Sequence, residues 1–95
     1  MSMPNPTSIV MYTSPWCSDC WRAKRLFAAL RVPYTEVNLE QDPQAAELVR
    51  QLNDGMQSVP TILFPDGVRL TEPSNQALEA QLQRYAGGSA RNGSR

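Results

Sequence analysis

Cys17 and Cys20, the two cysteines of the 95-residue chain, separate two different hydrophobic patterns. The short run before them, residues 9–12, is apolar and rich in β-branched and aromatic side chains, which is typical of a buried strand. After them, apolar residues recur at the spacing of an amphipathic helix, at Ala23, Leu26, Phe27 and Leu30. The sequence therefore predicts that the cysteines lie at a strand-to-helix junction, with Cys17 at the start of the helix and Cys20 on its inward face.

The same two patterns return further along the chain. Alternating residue character over 35–39 predicts a second strand. Asp42 followed by Pro43 is a typical helix N-cap with proline in the first turn. It predicts a second helix, which should end before the Asn-Asp-Gly stretch at 53–55.

A hairpin and a third helix complete the pattern. The short apolar segments 61–64 and 68–70 flank a tight Pro-Asp-Gly turn and predict two antiparallel strands. Apolar residues at helical spacing over 78–85 predict the last helix. The predicted fold class is therefore α/β, a four-stranded mixed sheet with three helices in the order β-α-β-α-β-β-α.

The two ends of the chain differ in composition from its middle. Residues 1–7 contain two prolines and few apolar side chains, whereas 87–95 are rich in Gly, Ser and Arg. We therefore predict a flexible lead-in over 1–7, one domain over 8–86 and a disordered tail over 87–95. Hydrophobic residues make up 41% of the chain, which is enough for the modest core of one small domain.

Charge and hydropathy limit the partners that we expect. Nine Lys and Arg balance nine Asp and Glu, which argues against nucleic acid or an anionic membrane as partner. The sequence starts without the features of a secretory signal and has no apolar run approaching about 18 residues. We therefore expect a cytoplasmic monomer, in a compartment where a cysteine pair is more often catalytic or metal-binding than a permanent disulfide.

Three interpretations of the cysteine pair are open on these grounds. A structural zinc site needs about four ligands, and the chain has two cysteines and no histidine. A metal or an iron–sulfur cluster carried through Cys17 would thus need carboxylates or a second chain. A structural disulfide would close a very small loop and would add little stability. A redox pair is favoured, because Cys-x-x-Cys at a helix start in a βαβ unit is a strong redox signal.

On the redox interpretation, the two cysteines have different roles. Cys17 lies near the exposed start of the helix, where unpaired N–H groups favour its thiolate, and would attack a substrate disulfide. Cys20 lies one turn further in and would then attack the resulting mixed disulfide. Val59-Pro60, just before the third strand, is a candidate for a cis peptide bond, although cis bonds are only about 5–6% of X–Pro bonds.

Together these residues resemble the glutaredoxins, a branch of the thioredoxin-like fold. The resemblance rests on residues 12–20 (YTSPWCSDC), 58–61 (SVPT) and 64–67 (FPDG). Through residues 70–74 (LTEPS) it is most similar to the mycoredoxin-like branch. It implies a thiol–disulfide oxidoreductase that acts on oxidised protein disulfides and on mixed disulfides between proteins and a low-molecular-weight thiol.

The resemblance also implies roles for individual residues. The residue that matches Cys17 is the nucleophile, and the one that matches Cys20 resolves the mixed disulfide. The proline that matches Pro60 is cis, and the backbone at the position of Val59 pairs with the bound thiol or peptide. A non-catalytic adaptor that uses the same Val59-Pro60 edge is an alternative from a different functional class.

Three departures from the glutathione-using pattern bear on the identity of the thiol. Ser14 stands where many glutaredoxins have Lys, Ser18-Asp19 replaces a frequent Pro-Tyr, and Thr71-Glu72-Pro73 replaces a Gly-Gly turn. These changes weaken the case for glutathione and favour mycothiol or bacillithiol as reductant. A related branch is reduced by thioredoxin reductase and donates electrons to ribonucleotide reductase. Its aromatic-Ser-Gly-aromatic-Arg-Pro stretch is absent here, so that function is the alternative.

Residues around the cysteines are candidate contacts for the thiol or the protein substrate, namely Tyr12, Trp16, Ser18, Arg22, Val59, Pro60 and Thr71. We expect Trp16 to be exposed and to offer a flat surface to a protein substrate. Asp19 should oppose the thiolate of Cys17, whereas Arg22 could offset that charge or bind a substrate carboxylate. For Trp21, the sequence favours packing on the sheet and exposure to solvent equally.

Overall fold

The computed structural model describes residues 6–94, with side chains as far as Tyr85. The elements are β1 Val10–Thr13, α1 Ser18–Ala29, β2 Thr35–Asn38, α2 Pro43–Leu52, β3 Thr61–Leu63, β4 Arg69–Thr71 and α3 Asn75–Ser94. Their order confirms the predicted one. The ends of the strands differ by at most one residue from the predicted ends.

The four strands form one mixed sheet in the order β2-β1-β3-β4. β1 and β2 are parallel and are connected through α1. β3 runs antiparallel to β1 and pairs with β4 as a hairpin. β1 is therefore held by a neighbour on each side, and its last residue, Thr13, leads directly toward the cysteines at the start of α1.

Two hydrophobic clusters cover the two faces of this sheet. The first contains residues of α1, α3 and the central strands, namely Ile9, Met11, Ala23, Phe27, Ile62, Phe64, Leu78 and Leu82. The second lies under α2 and contains Tyr12, Leu39, Ala45, Ala46 and Val49. Successive residues of β1, Met11 and Tyr12, belong to different clusters because side chains alternate between the faces of a strand. This packing fixes α1 and α2 on opposite sides of the strand that ends at the cysteines.

The ends of the chain are described in part. Residues 1–5 of the predicted lead-in and residue 95 of the predicted tail lie outside the described residues. The backbone of α3 continues past residue 86 as far as Ser94, so it enters the segment predicted as a tail. The domain limits at 8 and 86 stay a prediction. Within residues 6–94, no helix combines the length and the apolar character needed to cross a membrane.

Candidate redox site

Cys17 is the N-cap of α1, and its side chain caps the helix. Its backbone is extended, with φ −104° and ψ 105°, as is usual for a residue just before a helix. The backbone N–H of Cys20 donates a hydrogen bond of 3.0 Å to Cys17 Sγ. The sulfur therefore takes the place that a Ser or Asp oxygen has in most helix caps. An acceptor in this position is stabilised most when it is negatively charged.

The two cysteines are joined by a disulfide, with Cα atoms 5.2 Å apart. Cys17 is partly exposed, whereas only 1% of Cys20 is accessible to solvent. The predicted difference between an outer and an inner sulfur is thus present in the structure. A solvent-borne disulfide can approach Cys17 and cannot approach Cys20 without a rearrangement of α1.

The Val59-Pro60 peptide bond is cis, which confirms the prediction for this proline. The carbonyl oxygen of Val59 lies 3.6 Å from Cys17 Sγ, so this loop faces the outer cysteine. Pro60 is buried, and its carbonyl accepts a hydrogen bond of 2.8 Å from the N–H of Glu72. The structure therefore brings Val59 and Pro60 next to Cys17, although what they bind stays a prediction.

Asn53, which the sequence marks only as part of a helix stop, connects this loop to the end of α2. Its amide donates to Val49 O at 3.0 Å and to Thr61 Oγ1 at 3.2 Å. The Thr61 hydroxyl in turn donates to Ser58 O at 2.7 Å, and the Thr71 hydroxyl donates to Asn53 Oδ1 at 2.8 Å. The end of α2 is thereby joined to β3, to β4 and to the residue before Val59. In the sequence, the only available signal was an Asn at a helix C-terminus.

Thr71 is thus engaged in holding the site together. It is exposed and lies opposite Thr61 in the β3–β4 pairing. Its hydroxyl bond to Asn53 is a contact within the protein, whereas Thr71 is predicted from the sequence to contact the thiol. That binding role stays a prediction.

Asp19 and Arg22 form an ion pair on the outer face of α1. Arg22 Nη2 lies 2.9 Å from Asp19 Oδ1, and the two side chains are 39% and 52% exposed to solvent. Arg22 Nη1 also donates to Asn75 Oδ1 at the start of α3, at 3.1 Å. The negative charge expected to oppose the thiolate is therefore paired with a positive charge of the same helix. An exposed pair of this kind contributes about 1 kcal/mol or less to stability.

The aromatic residues around the cysteines divide into exposed and buried ones. Trp16 is 87% exposed, as predicted, and Trp21 is 64% exposed, which rules out its packing on the sheet. Lys24 Nζ lies 5.6 Å from the centre of the Trp21 ring. Tyr12, by contrast, is buried in the cluster under α2, where burial and then the charge of Asp42 raise the pKa of its phenol. This position favours a core role for Tyr12 over a contact with substrate.

Glu36 links the last residue of β1 to α1. Its Oε2 accepts hydrogen bonds of 2.8 Å from Lys24 Nζ and from the buried Thr13 hydroxyl. The Lys24 bond is the main reason that the pKa of Glu36 is lower than usual. Partial burial raises this pKa, and the Thr13 bond lowers it further. This contact ties the sheet to the helix that starts at Cys17. Nothing in the sequence pattern pointed to it.

A groove lies beside Val59. It has a volume of about 300 Å³ and is lined by Ser14, Leu39, Glu40, Gln57 and Val59. The charged side chain among these lining residues is a carboxylate. Ser18 is exposed on the first turn of α1. Within residues 6–94, no group of three or more His, Cys, Asp or Glu side chains is gathered as a metal site would require.

Comparison with known proteins agrees with this geometry. Residues 9–69 match the glutaredoxin family profile. A Mycobacterium tuberculosis protein named as a glutaredoxin is 41% identical over 80 residues, which is 84% of this chain and 95% of that protein. Mycoredoxin 1 of Corynebacterium glutamicum is 30% identical over 81 residues, 84% of this chain and 99% of that protein.

Solved structures show the same fold. The glutaredoxin-like protein NrdH-redoxin from Escherichia coli superposes with a TM-score of 0.67 at 22% identity, over 78% of this chain and 93% of that chain. The predicted thioredoxin-like fold is thereby confirmed. With its Cys-x-x-Cys pair at Cys17 and Cys20, the chain belongs to the glutaredoxin family of redox proteins.

Proposed function

We propose that this protein is a thiol–disulfide oxidoreductase of the mycoredoxin type, acting as a cytoplasmic monomer on oxidised proteins. The Cys17 thiolate attacks a substrate disulfide, forms a new S–S bond and displaces the first substrate sulfur as a thiolate. Cys20 loses its proton, attacks Cys17 Sγ and displaces the second sulfur. The substrate thus gains two electrons and two protons, and the protein is left with the Cys17–Cys20 disulfide.

The observation that supports this proposal most strongly is the hydrogen bond from Cys20 N–H to Cys17 Sγ, at 3.0 Å. A sulfur at a helix N-cap is a better acceptor when charged, so the fold favours the reactive form of Cys17. Because Cys20 is buried, it is shielded from external disulfides and is reserved for the second step. The Val59 carbonyl, 3.6 Å from Cys17 Sγ, lies at the edge where a bound thiol or peptide would pair.

For the reductant, we propose mycothiol in preference to glutathione or bacillithiol. The groove beside Val59 contains the Glu40 carboxylate and has Ser14 where many glutaredoxins have Lys. Glutathione and bacillithiol carry carboxylates, which Glu40 would repel, whereas mycothiol is uncharged and rich in hydroxyl groups. Ser14 and Gln57 can form hydrogen bonds with such hydroxyls. The similarity to mycoredoxin 1 supports the same choice.

Parallel reduction of the oxidised protein by mycothiol, glutathione, bacillithiol and thioredoxin reductase tests this choice. We expect mycothiol to give the fastest rate and Glu40→Gln to raise the glutathione rate more than the mycothiol rate. Faster reduction by thioredoxin reductase would support the alternative, an electron donor to ribonucleotide reductase. Disulfide reductase activity retained in Cys17→Ser would disprove the assignment of the nucleophile.

A further inference from the structure

A second cleft, whose lining shares no residue with that of the Val59 groove, has a positive lining. It lies between α1 and the start of α3, has a volume of about 290 Å³, and is lined by Arg22, Arg25, Leu26, Ala29 and Asn75. Two arginines, an amide and the apolar side chains of Leu26 and Ala29 form this lining. In a chain whose formal net charge is zero, this is a local excess of positive charge.

The two arginines of the cleft differ in what already contacts them. Arg22 is bound to Asp19 and to Asn75 Oδ1, and these contacts hold its guanidinium between the first turn of α1 and the start of α3. Arg25 is exposed, and within the described part of the chain it takes part in no ion pair. Arg25 therefore supplies the charge that remains to attract an anion.

We propose that this cleft, called here the arginine cleft, binds an acidic side chain of the protein substrate while Cys17 attacks the substrate disulfide. This inference rests on the proposed function and adds a preference among protein substrates. An Asp or Glu carboxylate would pair with Arg25, because a guanidinium offers two parallel donors to a carboxylate. The aliphatic part of that side chain would lie against Leu26 and Ala29.

The distance along α1 sets the position of the acidic residue in the substrate. Arg25 lies eight positions after Cys17, which corresponds to roughly 12 Å at about 1.5 Å per helical residue. An extended substrate segment advances about 3.3 Å per residue. The acidic residue should therefore lie about three or four positions from the substrate cysteine whose disulfide Cys17 attacks.

Peptides that contain one cysteine as a mixed disulfide with mycothiol test this inference. One set has Glu at the third and fourth positions on each side of the cysteine, and matched sets have Gln or Lys there. We expect kcat/KM to follow the order Glu, Gln, Lys, with about a two- to fivefold step from Glu to Gln, the usual range for an exposed ion pair. This step should shrink as the salt concentration rises, because exposed charges are screened.

Two variants separate the cleft from general charge effects. In Arg25→Gln, the Glu and Gln peptides should be reduced at nearly equal rates. In Arg69→Gln, which removes another exposed arginine, from β4, the wild-type preference should persist. Equal rates for the Glu and Gln peptides in the wild-type protein would overturn the arginine cleft alone. Failure to reduce any of the peptides would overturn the proposed function, and this inference with it.

Discussion

Replacement of Asn53 by Ala should weaken both the stability of the protein and the order of the loop before the cis-proline. The substitution removes three hydrogen bonds, to Val49 O, to Thr61 Oγ1 and from the Thr71 hydroxyl. Each such bond contributes about 0.5–1.5 kcal/mol net. Thr71 is exposed and can bond to water instead, and Thr61 keeps its bond to Ser58 O, so their losses lie at the low end.

The expected loss of unfolding free energy is therefore about 2 kcal/mol. For a domain of this size, that corresponds to a decrease in Tm of roughly 8–16 °C. Urea unfolding with an unchanged slope would give the free energy, and a thermal scan would give Tm. Asn38→Ala is the matched control, because the Asn38 side chain accepts a single bond, from Glu40 N–H at 2.8 Å. We expect it to cost about 1 kcal/mol or less.

The same variant tests whether Asn53 acts on the site through the loop. If Asn53 positions Ser58 and Val59, Asn53→Ala should raise KM for the mixed disulfide at a temperature where the variant is fully folded. Asn38→Ala should leave KM unchanged. If Asn53→Ala lost no more stability than Asn38→Ala, the inferred role of the three hydrogen bonds would be wrong.

Three further changes test the electrostatics and packing around the cysteines. Asp19→Asn should speed alkylation of the nucleophilic cysteine at neutral pH about two- to threefold, because it leaves the Arg22 charge unpaired near the thiolate. Arg22→Gln should slow alkylation, because it leaves the Asp19 charge unpaired. Equal effects of the same sign would refute this prediction. Glu36→Gln should destabilise the protein at pH 7, because the Lys24 bond favours the charged carboxylate. The difference in unfolding free energy between wild type and variant should vanish as the pH falls from the ordinary Glu pKa of about 4.3 through the lower pKa of the folded protein. A difference that persists in urea unfolding at pH 2.5 would contradict this prediction. Trp21→Ala should cost less than about 1 kcal/mol in urea unfolding, since the residue is 64% exposed and its contact with Lys24 is a weak one at the surface; a cost of about 3–5 kcal/mol would indicate a core residue.

The features that could be predicted from the sequence depend on neighbouring residues. Apolar spacing along α1 placed Cys20 inward, and the Asp42-Pro43 pair marked the start of α2, because both signals lie within one or two helical turns. The side chain of Asp42 indeed accepts a bond of 3.0 Å from Ala45 N–H. Local patterns therefore sufficed for the order of the elements and for the position of the cysteines.

The features that could not be predicted depend on contacts between distant segments. Asn53 meets Thr71 across 18 positions, and Glu36 meets Thr13 across 23, so no periodic pattern joins them. Trp21 lies at the margin of the inward stripe of α1, where the helical period alone does not decide between core and solvent. These contacts follow from how α2 is placed against β3 and β4 and how β2 is placed against β1, which only the assembled sheet determines.

In the proposed cycle, the cap at the start of α1 also makes the regeneration of the Cys17 thiolate easier. A second low-molecular-weight thiol regenerates the protein by attacking the outer sulfur of a mixed disulfide on Cys17, which expels Cys17 as a thiolate and leaves the thiol as its own disulfide. The N–H of Cys20, 3.0 Å from Cys17 Sγ, stabilises that leaving group as it stabilises the attacking one. A group that leaves readily lets the single-cysteine route proceed without Cys20. Cys20→Ser should therefore still reduce protein–mycothiol mixed disulfides while losing the reduction of disulfides between two protein cysteines.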